Sequence, residues 1–509
     1  MNSFWSFLIE RRAELSRLVV EHLAMSALAT LVAAGIGLPL GIFLTRRPRF
    51  AGPTLAFASV VQTIPSLALF GLLIPLPFIG GIGPKPAIVA LIVYAILPIL
   101  RNTYDGLRGV DPSLREAAEA LGLTPAERLR LVELPLAAPV ILGGVRLAAV
   151  LSVGTATIAA AVGAGGLGTY VLRGIATLDT RLVLCGAIPA ALLAVLVDLA
   201  LGRLASSARP LRAASALVIA SALLGATLVE WRLAPSRVVV GSKNFTESVL
   251  LGEIVAATLE ARGLEVDRKF NLGGALLCHR ALISGDLDTY VEYTGTALMD
   301  MFKRRKETDR AAVLASVTSD YRRFGLMVLP PLGYENNFAF VVRSADAARF
   351  GLARISDLQK VQGQFRLGMF GEFLERADGF RGLTSAYDLK FTKTPAEMDL
   401  GLLYQALESE RIDLAVGSTT DGLIAAKGFV VLDDDRHYFP PYDAIPVVRM
   451  AAFSEHPGLR EAIESLAGRI DAATMRRLNF EVDGSKRDPR DVARAFLATL
   501  AVVEPAPRP

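Results

Sequence analysis

In 509 residues the dipeptide Gly-Lys never occurs, so there is no Walker A loop to cradle a nucleoside triphosphate. Cysteine is nearly absent: Cys185 falls inside an apolar run and Cys278 in a more polar region. That separation excludes a disulfide framework. The four histidines, His22, His279, His437 and His456, are scattered, with no pair at metal-ligand spacing, and no zinc site is expected. His279, in Leu277-Cys278-His279-Arg280, reads as a packing or helix-surface residue and not as a catalyst. No dense Lys/Arg tract accompanies the net charge of +4, which removes support for nucleic-acid binding. No Ser-His-Asp arrangement has motif support, and no cofactor is implied. A cleavable leader is not expected either, because Glu10, Arg11, Arg12 and Glu14 precede the first long apolar run, leaving targeting to the first membrane span.

What the chain has in excess is apolar surface. Hydrophobic residues make up 52% of it, the mean hydropathy is +0.43, and the excess is concentrated before about residue 230. Residues 1–21 alternate aromatic and charged positions and read as an interfacial helix, with Trp5 at headgroup level. Candidate spans follow near 22–44, 53–79, 86–100, 137–162, 183–204 and 212–230; about twenty apolar residues are needed to cross a bilayer. Arg46, Arg47 and Arg49, then Arg101, Arg108, Arg115, Arg128 and Arg130, then Arg203, Arg209 and Arg212 fall on one side if the N-terminus is outside. The positive-inside rule makes that side cytoplasmic and places residues 231–509 on the other. Within the second span, Gln62, Thr63, Pro65 and Ser66 bring polar groups and a helix-kinking Pro to membrane depth, either for helix packing or to line a pathway. Gly163-Ala164-Gly165-Gly166-Leu167-Gly168 formally matches a dinucleotide fingerprint, but it follows a span instead of a strand. A flexible connection outside the cytoplasm is expected there.

Between two of these spans lies a polar elbow: Glu116-Ala117-Ala118, Gly122 four residues on, then Val132, Leu134 and Pro135. It reads as two short helices meeting at a Gly bend, with Pro135 restarting a helix. This resembles the E-A-A-x3-G-x9-I-x-L-P loop of ABC-transporter permeases, with Val132 in the Ile place. The resemblance implies that Glu116, Ala117, Ala118, Gly122, Leu134 and Pro135 couple to a cytoplasmic ABC ATPase. It implies also that the permease works as a homodimer in a bacterial inner membrane. The Gln62–Ser66 run is similar to one in quaternary-amine permeases.

After the join at 230–236 a strand-helix rhythm begins. Arg237 to Gly241 is a Val-rich strand, Ser242 to Thr246 a polar turn, and Glu247 to Arg262 a helix that Thr246 or Asn244 is placed to cap. Further strand-turn-helix units are expected near 288–300, 338–343, 365–377 and 412–427, which indicates α/β lobes. Gly241–Glu247, Gly285–Thr296 (with Tyr290-Val291-Glu292-Tyr293-Thr294-Gly295-Thr296) and Phe439-Pro440-Pro441-Tyr442 resemble the quaternary-amine class of ABC substrate-binding proteins. Family members usually have Pro where this chain has Val291, and often Tyr where it has Phe338.

The expected architecture is therefore an all-α permease of about six transmembrane helices followed by a two-lobed, type II periplasmic-binding-protein-like α/β domain. The divisions are 1–21, 22–204 with the elbow at 116–135, 205–236 as an extra helix and tether, and 237–509 as the receptor. Lobe 1 covers about 237–340 and 445–509, and lobe 2 about 341–444. A methylated ammonium has no N–H to donate, so aromatic faces must hold it, at roughly 0.5–2 kcal/mol per contact. Tyr290, Tyr293, Phe338, Tyr404 and Tyr442 are the candidate box. A ligand carboxylate would meet the helix start beside Asn244 and Thr246, or the turn with Thr419 and Asp421; Asp421 is open to capping a helix or to receiving a cation, and Asn336 and Asn337 to holding a ligand or shaping a turn. The function expected is membrane subunit of an ATP-driven importer for glycine betaine, choline, carnitine or a similar solute, with an ergothioneine importer of the same architecture as the alternative. A membrane-anchored ligand sensor is the rival from another class, and the elbow argues against it.

Overall fold

The computed structural model describes residues 8–9, 11–76, 79–176, 179–205, 237–376, 378–398 and 400–503. The chain divides into two compact units, with the division between Pro235 and Ser236. The sixth expected span, at 212–230, lies outside the described residues.

The first unit is helical. Its long elements are α1 (Arg12–Arg46), α2 (Pro48–Thr63), α3 (Ser66–Leu73), α4 (Pro84–Arg108), α5 (Pro112–Ala120), α6 (Pro125–Arg128), α7 (Leu134–Ala159), α8 (Gly168–Ala176) and α9 (Thr180–Ala205). Four described helical stretches are long and apolar enough to cross a membrane, or five if α2 and α3 count as one broken span. The described part of the expected interfacial helix continues without a break into the first span, because no Pro or Gly interrupts 12–36 except Gly35. On α1 the small residues Ala29, Ala33, Gly37 and Gly41 recur every fourth position and are buried. Side chains four apart share a helix face, and this one lets the backbone of α4 come close, the usual basis of helix association in lipid.

Two expectations change here. Pro65 does more than kink its span. Ile64 is extended (ψ 126°), as a residue before Pro prefers, and α2 and α3 meet at 95°; the Tyr94 hydroxyl donates to the carbonyl of Ile64, which has left the helical ladder. The glycine-rich stretch is no loose connection. The Gly166 N–H donates to Glu21 Oε2 at 3.1 Å and the Leu167 N–H to His22 Nδ1 at 3.3 Å. A Cβ on Gly168 would lie 1.8 Å from the Thr157 carbonyl oxygen. With Nδ1 accepting, His22 carries its proton on Nε2, 2.9 Å from the Val153 carbonyl.

The second unit has two mixed sheets. The first is ordered β2-β1-β3-β10-β4, from β1 (Val238–Gly241), β2 (Val266–Lys269), β3 (Thr289–Tyr293), β4 (Leu326–Val328) and β10 (Ala444–Arg449). β1 runs parallel to β2 and β3, while β10 is antiparallel to β3, pairing Ala444 with Tyr293. The second is ordered β7-β6-β8-β5-β9, from β5 (Phe338–Arg343), β6 (Leu367–Met369), β7 (Ala396–Glu397), β8 (Leu414–Ser418) and β9 (Phe429–Leu432). Helices α10 (Thr246–Ala261), α11 (Ala275–Ser284) and α12 (Arg310–Arg322) flank the first sheet's sequence; α13 (Gly371–Glu375), α14 (Phe380–Tyr387), α15 (Leu400–Glu408) and α16 (Gly422–Ala426) belong with the second; α17 (Ala472–Asp483) and α18 (Pro489–Val503) close the chain.

The lobe boundaries differ slightly from expectation. Residues 338–340 pair in the second sheet, since β5 starts at Phe338. Helix α17 packs on both α16 of the second lobe and α10 of the first, and α18 packs on α10, so the last segment serves both lobes.

Candidate functional site

The elbow is shaped by its caps. Asp111 caps α5 by accepting from the Ser113 N–H at 2.8 Å. The helix ends in a Schellman turn: Leu123 N–H to Ala118 O at 3.1 Å and Gly122 N–H to Glu119 O at 2.9 Å, with Gly122 at φ +78°. Thr124 and Glu127 then form a capping box that starts α6. The expectation that Pro135 restarts a helix is not met: helix runs on from Pro125 through one π turn, Leu129–Glu133, into α7. The Leu134 N–H reaches back to the Leu129 carbonyl; this wider turn makes room for the Pro135 ring, whose missing N–H falls in the first turn of α7. Glu116 and Ala117 are exposed and Ala118 is buried. Leu121, at 81% exposed, and Leu131, at 60%, are unpartnered apolar side chains. Sequence reasoning missed Glu133. It is buried and pairs with Arg128 at 3.3 Å, Arg46 at 3.6 Å and Arg115 at 3.8 Å.

In the second unit the five candidate rings do not form one box. Among the described residues only Phe338 and Tyr442 of the five touch, with centroids 5.3 Å apart. Around Phe338 stand Phe373 at 4.9 Å, Phe439 at 5.4 Å and Phe370 at 6.0 Å. The box is thus built from β5, the turn after β6 and the segment before β10. At the edge of these rings the Arg376 guanidinium lies 5.3 Å from the Phe338 ring centre and 5.8 Å from that of Tyr442. Arg376 donates to both oxygens of Asp378, at 2.9 and 2.8 Å, to Tyr442 Oη at 2.8 Å, and at 3.5 Å to Thr296 Oγ1 of the first lobe. Both charged residues are buried. Sequence reasoning missed Phe370, Phe373, Arg376 and Asp378; the available signal was two aromatics and an Arg-x-Asp within nine residues of a strand end.

The other candidates lie apart from this box. Tyr290 donates to Glu292 Oε2 at 3.0 Å and Tyr293 to Glu247 Oε1 at 2.6 Å, both deeply buried, so burial holds both hydroxyls well above the usual tyrosine range. Lys243 fills the space beside Tyr293: its Nζ is 2.5 Å from Glu292 Oε1 and 4.4 Å from the Tyr293 ring centre. Asn336 Nδ2 also donates to Glu247, at 2.9 Å. The Asn337 N–H donates to Thr419 Oγ1 at 3.1 Å, extending the β5–β8 ladder. Asn244 is exposed, and neither it nor Thr246 caps α10; the cap position is Phe245, without a side-chain bond, while Thr246 donates to Asp483 Oδ1 at 2.7 Å.

Asp421 occupies the cap position of α16 without making the capping bond. Its Oδ2 accepts instead from the Tyr404 hydroxyl and, at 2.9 Å, from the Ser418 N–H. Burial, with Asp483 and Glu247 nearby, pushes Asp421 up from 3.8 to about 7 against those hydrogen bonds, and burial takes Asp483 to about 6. A raised acid favours the protonated folded state. Stability is therefore expected to fall as pH climbs from about 4 to about 7 and to level off above. Asp421→Asn, which cannot ionise, should flatten that slope in a thermal-shift series, and an unchanged slope would contradict the assignment. The one grouping of metal-ligand types among the described residues, Asp288, Glu455 and His456, is bridged by Arg449, 2.6 Å from Asp288 and 2.5 Å from Glu455. A guanidinium there leaves no place for a cation.

A helical membrane unit joined in one chain to a two-lobed binding unit defines a transporter that carries its own receptor. Residues 236–499 match the substrate-binding domain of the ABC-type glycine betaine transport system, and residues 37–210 match the inner-membrane component of binding-protein-dependent transport systems. The chain is 34% identical over 499 residues to the ergothioneine transport permease/ergothioneine binding protein EgtU of Helicobacter pylori, covering 94% of this chain and 88% of that protein. Its membrane half is 46% identical over 200 residues to the osmoprotectant import permease OsmW of Salmonella typhimurium, 39% of this chain and 93% of that one. A solved glycine betaine/carnitine/choline ABC transporter structure is 32% identical, covering 52% of this chain and 100% of that one, with a TM-score of 0.47. The chain belongs to the glycine betaine/carnitine/choline family of ABC importers, as a permease fused to its substrate-binding domain. Neither domain is enzymatic, and a permease of this kind implies a partner ATPase and a small ligand.

Proposed function

We propose that this protein imports a small zwitterion bearing a quaternary ammonium, with glycine betaine, carnitine and ergothioneine as the cargo set. The observation that carries this reading is the aromatic box on Phe338 with Arg376 at its edge. Aromatic faces suit a methylated ammonium, and a guanidinium held in a fixed fork suits a carboxylate. Choline, which has no carboxylate, would use only half of such a site. Similarity to a fused ergothioneine permease and binding protein along both units supports keeping ergothioneine in the set beside glycine betaine and carnitine. In this reading residues 22–204 are the permease and 237–509 the receptor, outside the cytoplasm of a bacterial inner membrane. Two chains form the pore, and Gln62, Thr63, Pro65 and Ser66 face its pathway.

A separate cytoplasmic ATPase hydrolyses ATP and docks at 116–135. The exposed Leu121 and Leu131 supply apolar contact there, beside the exposed Glu116. The test is calorimetric titration of the full chain in nanodiscs with glycine betaine, carnitine, ergothioneine and choline. Micromolar or tighter binding of one zwitterion, at least tenfold tighter than choline, is the expected result. Choline binding as tightly as every zwitterion would remove the role given to Arg376.

A further inference from the structure

The chain passes from the first sheet to the second through residues 334–337 and returns through 438–443. These two crossing segments are paired with each other: Glu335 bridges Asp443, the Asn336 N–H donates to Tyr442 O at 3.0 Å, and the Ala444 N–H to Tyr334 O at 3.1 Å. Beside them sits Glu247, in the first turn of α10 and only 2% exposed. Its Oε1 accepts from Tyr293 at 2.6 Å, Tyr334 at 2.8 Å and Asn336 Nδ2 at 2.9 Å. Its Oε2 accepts from Asn479 Nδ2 at 2.7 Å and Thr420 Oγ1 at 2.5 Å.

Those five donors come from the end of β3, a crossing segment, the turn after β8 and α17. They therefore span the first lobe, the connection, the second lobe and the C-terminal helix α17, which packs on helices of both lobes. A carboxylate offers about four lone-pair sites, so Glu247 has none left for a cargo molecule. Asn479 also donates to the Thr420 carbonyl at 2.9 Å, holding the second-lobe turn in place from another side. Because hydrogen bonds to a charged acceptor are short and strong, and a half-satisfied buried network is costly, the arrangement favours one angle between the lobes over its neighbours.

We propose that Glu247 is the pin of the interlobe hinge, a positioning residue that sets lobe closure and through it cargo affinity; this rests on the receptor reading above. The pin acts through Thr420, its only side-chain partner on the second lobe's own segment among the described residues. Closure by rotation about two crossing segments then turns around a point that is chemically fixed. Sequence reasoning gave Glu247 only a helix-start role, because nothing local indicates that side chains 46 to 232 positions away converge on it.

The test uses the full chain in nanodiscs with spin labels at Arg262→Cys on the first lobe and Ser385→Cys on the second, both exposed positions. Pulsed electron paramagnetic resonance reads the interlobe distance without cargo. Glu247→Gln is expected to broaden the distribution and to speed cargo dissociation by about tenfold or more. Gln can still be accommodated, since the unpaired Asn479 Oδ1 can turn to accept from it. Thr420→Val, which removes only the second-lobe arm, should broaden the distribution to a smaller extent and serves if Glu247→Gln does not fold. Distributions for folded Glu247→Gln and Thr420→Val that both superimpose on the parent's would overturn the proposal. A parent that binds none of glycine betaine, carnitine or ergothioneine would count against the cargo reading instead, and the cargo-free comparison would still decide the pin.

Discussion

Arg376→Gln is expected to weaken binding of the zwitterionic cargo by about a hundredfold or more, while choline binding changes far less. The reason lies in what the guanidinium touches. It is buried, holds both oxygens of Asp378, and contacts Tyr442 and Thr296, so it joins the second lobe's aromatic box to the first lobe. Removing one partner of a buried ion pair costs about 3–5 kcal/mol, much of it the penalty of leaving the other charge unpaired. A single substitution therefore confounds loss of a ligand contact with leaving Asp378 buried and without its guanidinium partner. The paired variant Arg376→Met with Asp378→Leu separates them, because replacing both charges with apolar groups is often neutral for stability. If Arg376 holds a carboxylate, the paired variant regains its melting temperature and still fails to bind zwitterions, as measured by the same titration. Recovery of zwitterion affinity in the paired variant would show that Arg376 serves the fold alone.

The residues involved show how much of the site could be read in advance. Of the five rings expected to form a box, Phe338 and Tyr442 do come together, while Tyr290 and Tyr293 of the motif Tyr290–Thr296 lie on β3, apart from them, and its Thr296 contacts Arg376. The convergence of Phe370, Phe373 and Arg376 on Phe338 was not legible. They follow β6, while Phe338 opens β5, and only the antiparallel and parallel pairings of β8 with both strands bring them to one side. Tyr290 and Tyr293 looked alike as box members for the same reason in reverse. Alternation along β3 turns them to opposite faces, and each is claimed by a buried carboxylate, Tyr290 by Glu292 two residues along the same strand and Tyr293 by the distant Glu247.

The helical unit was legible by a different route. Its spans are local properties of composition, so four described stretches and one broken one fall where apolar runs stand. The bend at Pro65 and the bend at Gly122 are also local, set by one residue's allowed dihedrals. What stayed hidden was contact at a distance: Glu21 and His22 fixing the glycine turn, and three arginines from separate elements meeting at Glu133.

Gly122→Val is expected to abolish uptake while leaving cargo affinity unchanged. At φ +78° with open space around its Cα, Gly122 meets no steric neighbour, so the substitution acts only through backbone conformation. The left-handed region costs an ordinary residue roughly 1–2 kcal/mol, and a β-branched side chain more. The Schellman turn that aims α5 relative to α6 then relaxes, and Glu116, Leu121 and the exposed face with them lose their placement. Glu133→Gln approaches the same elbow from the inside. It leaves the backbone alone but withdraws the charge that holds Arg46, Arg115 and Arg128 together, freeing the end of α1 from the π turn. Both variants, reconstituted in proteoliposomes with the ATPase subunit, should bind the zwitterion normally and hydrolyse ATP with uptake reduced or lost. Glu133→Gln is expected to keep a fraction of uptake, since hydrogen bonds to neutral Gln remain available, whereas Gly122→Val keeps none. Uptake at parental rates in Gly122→Val would mean that the elbow's shape is not what carries the stroke from the ATPase into the spans.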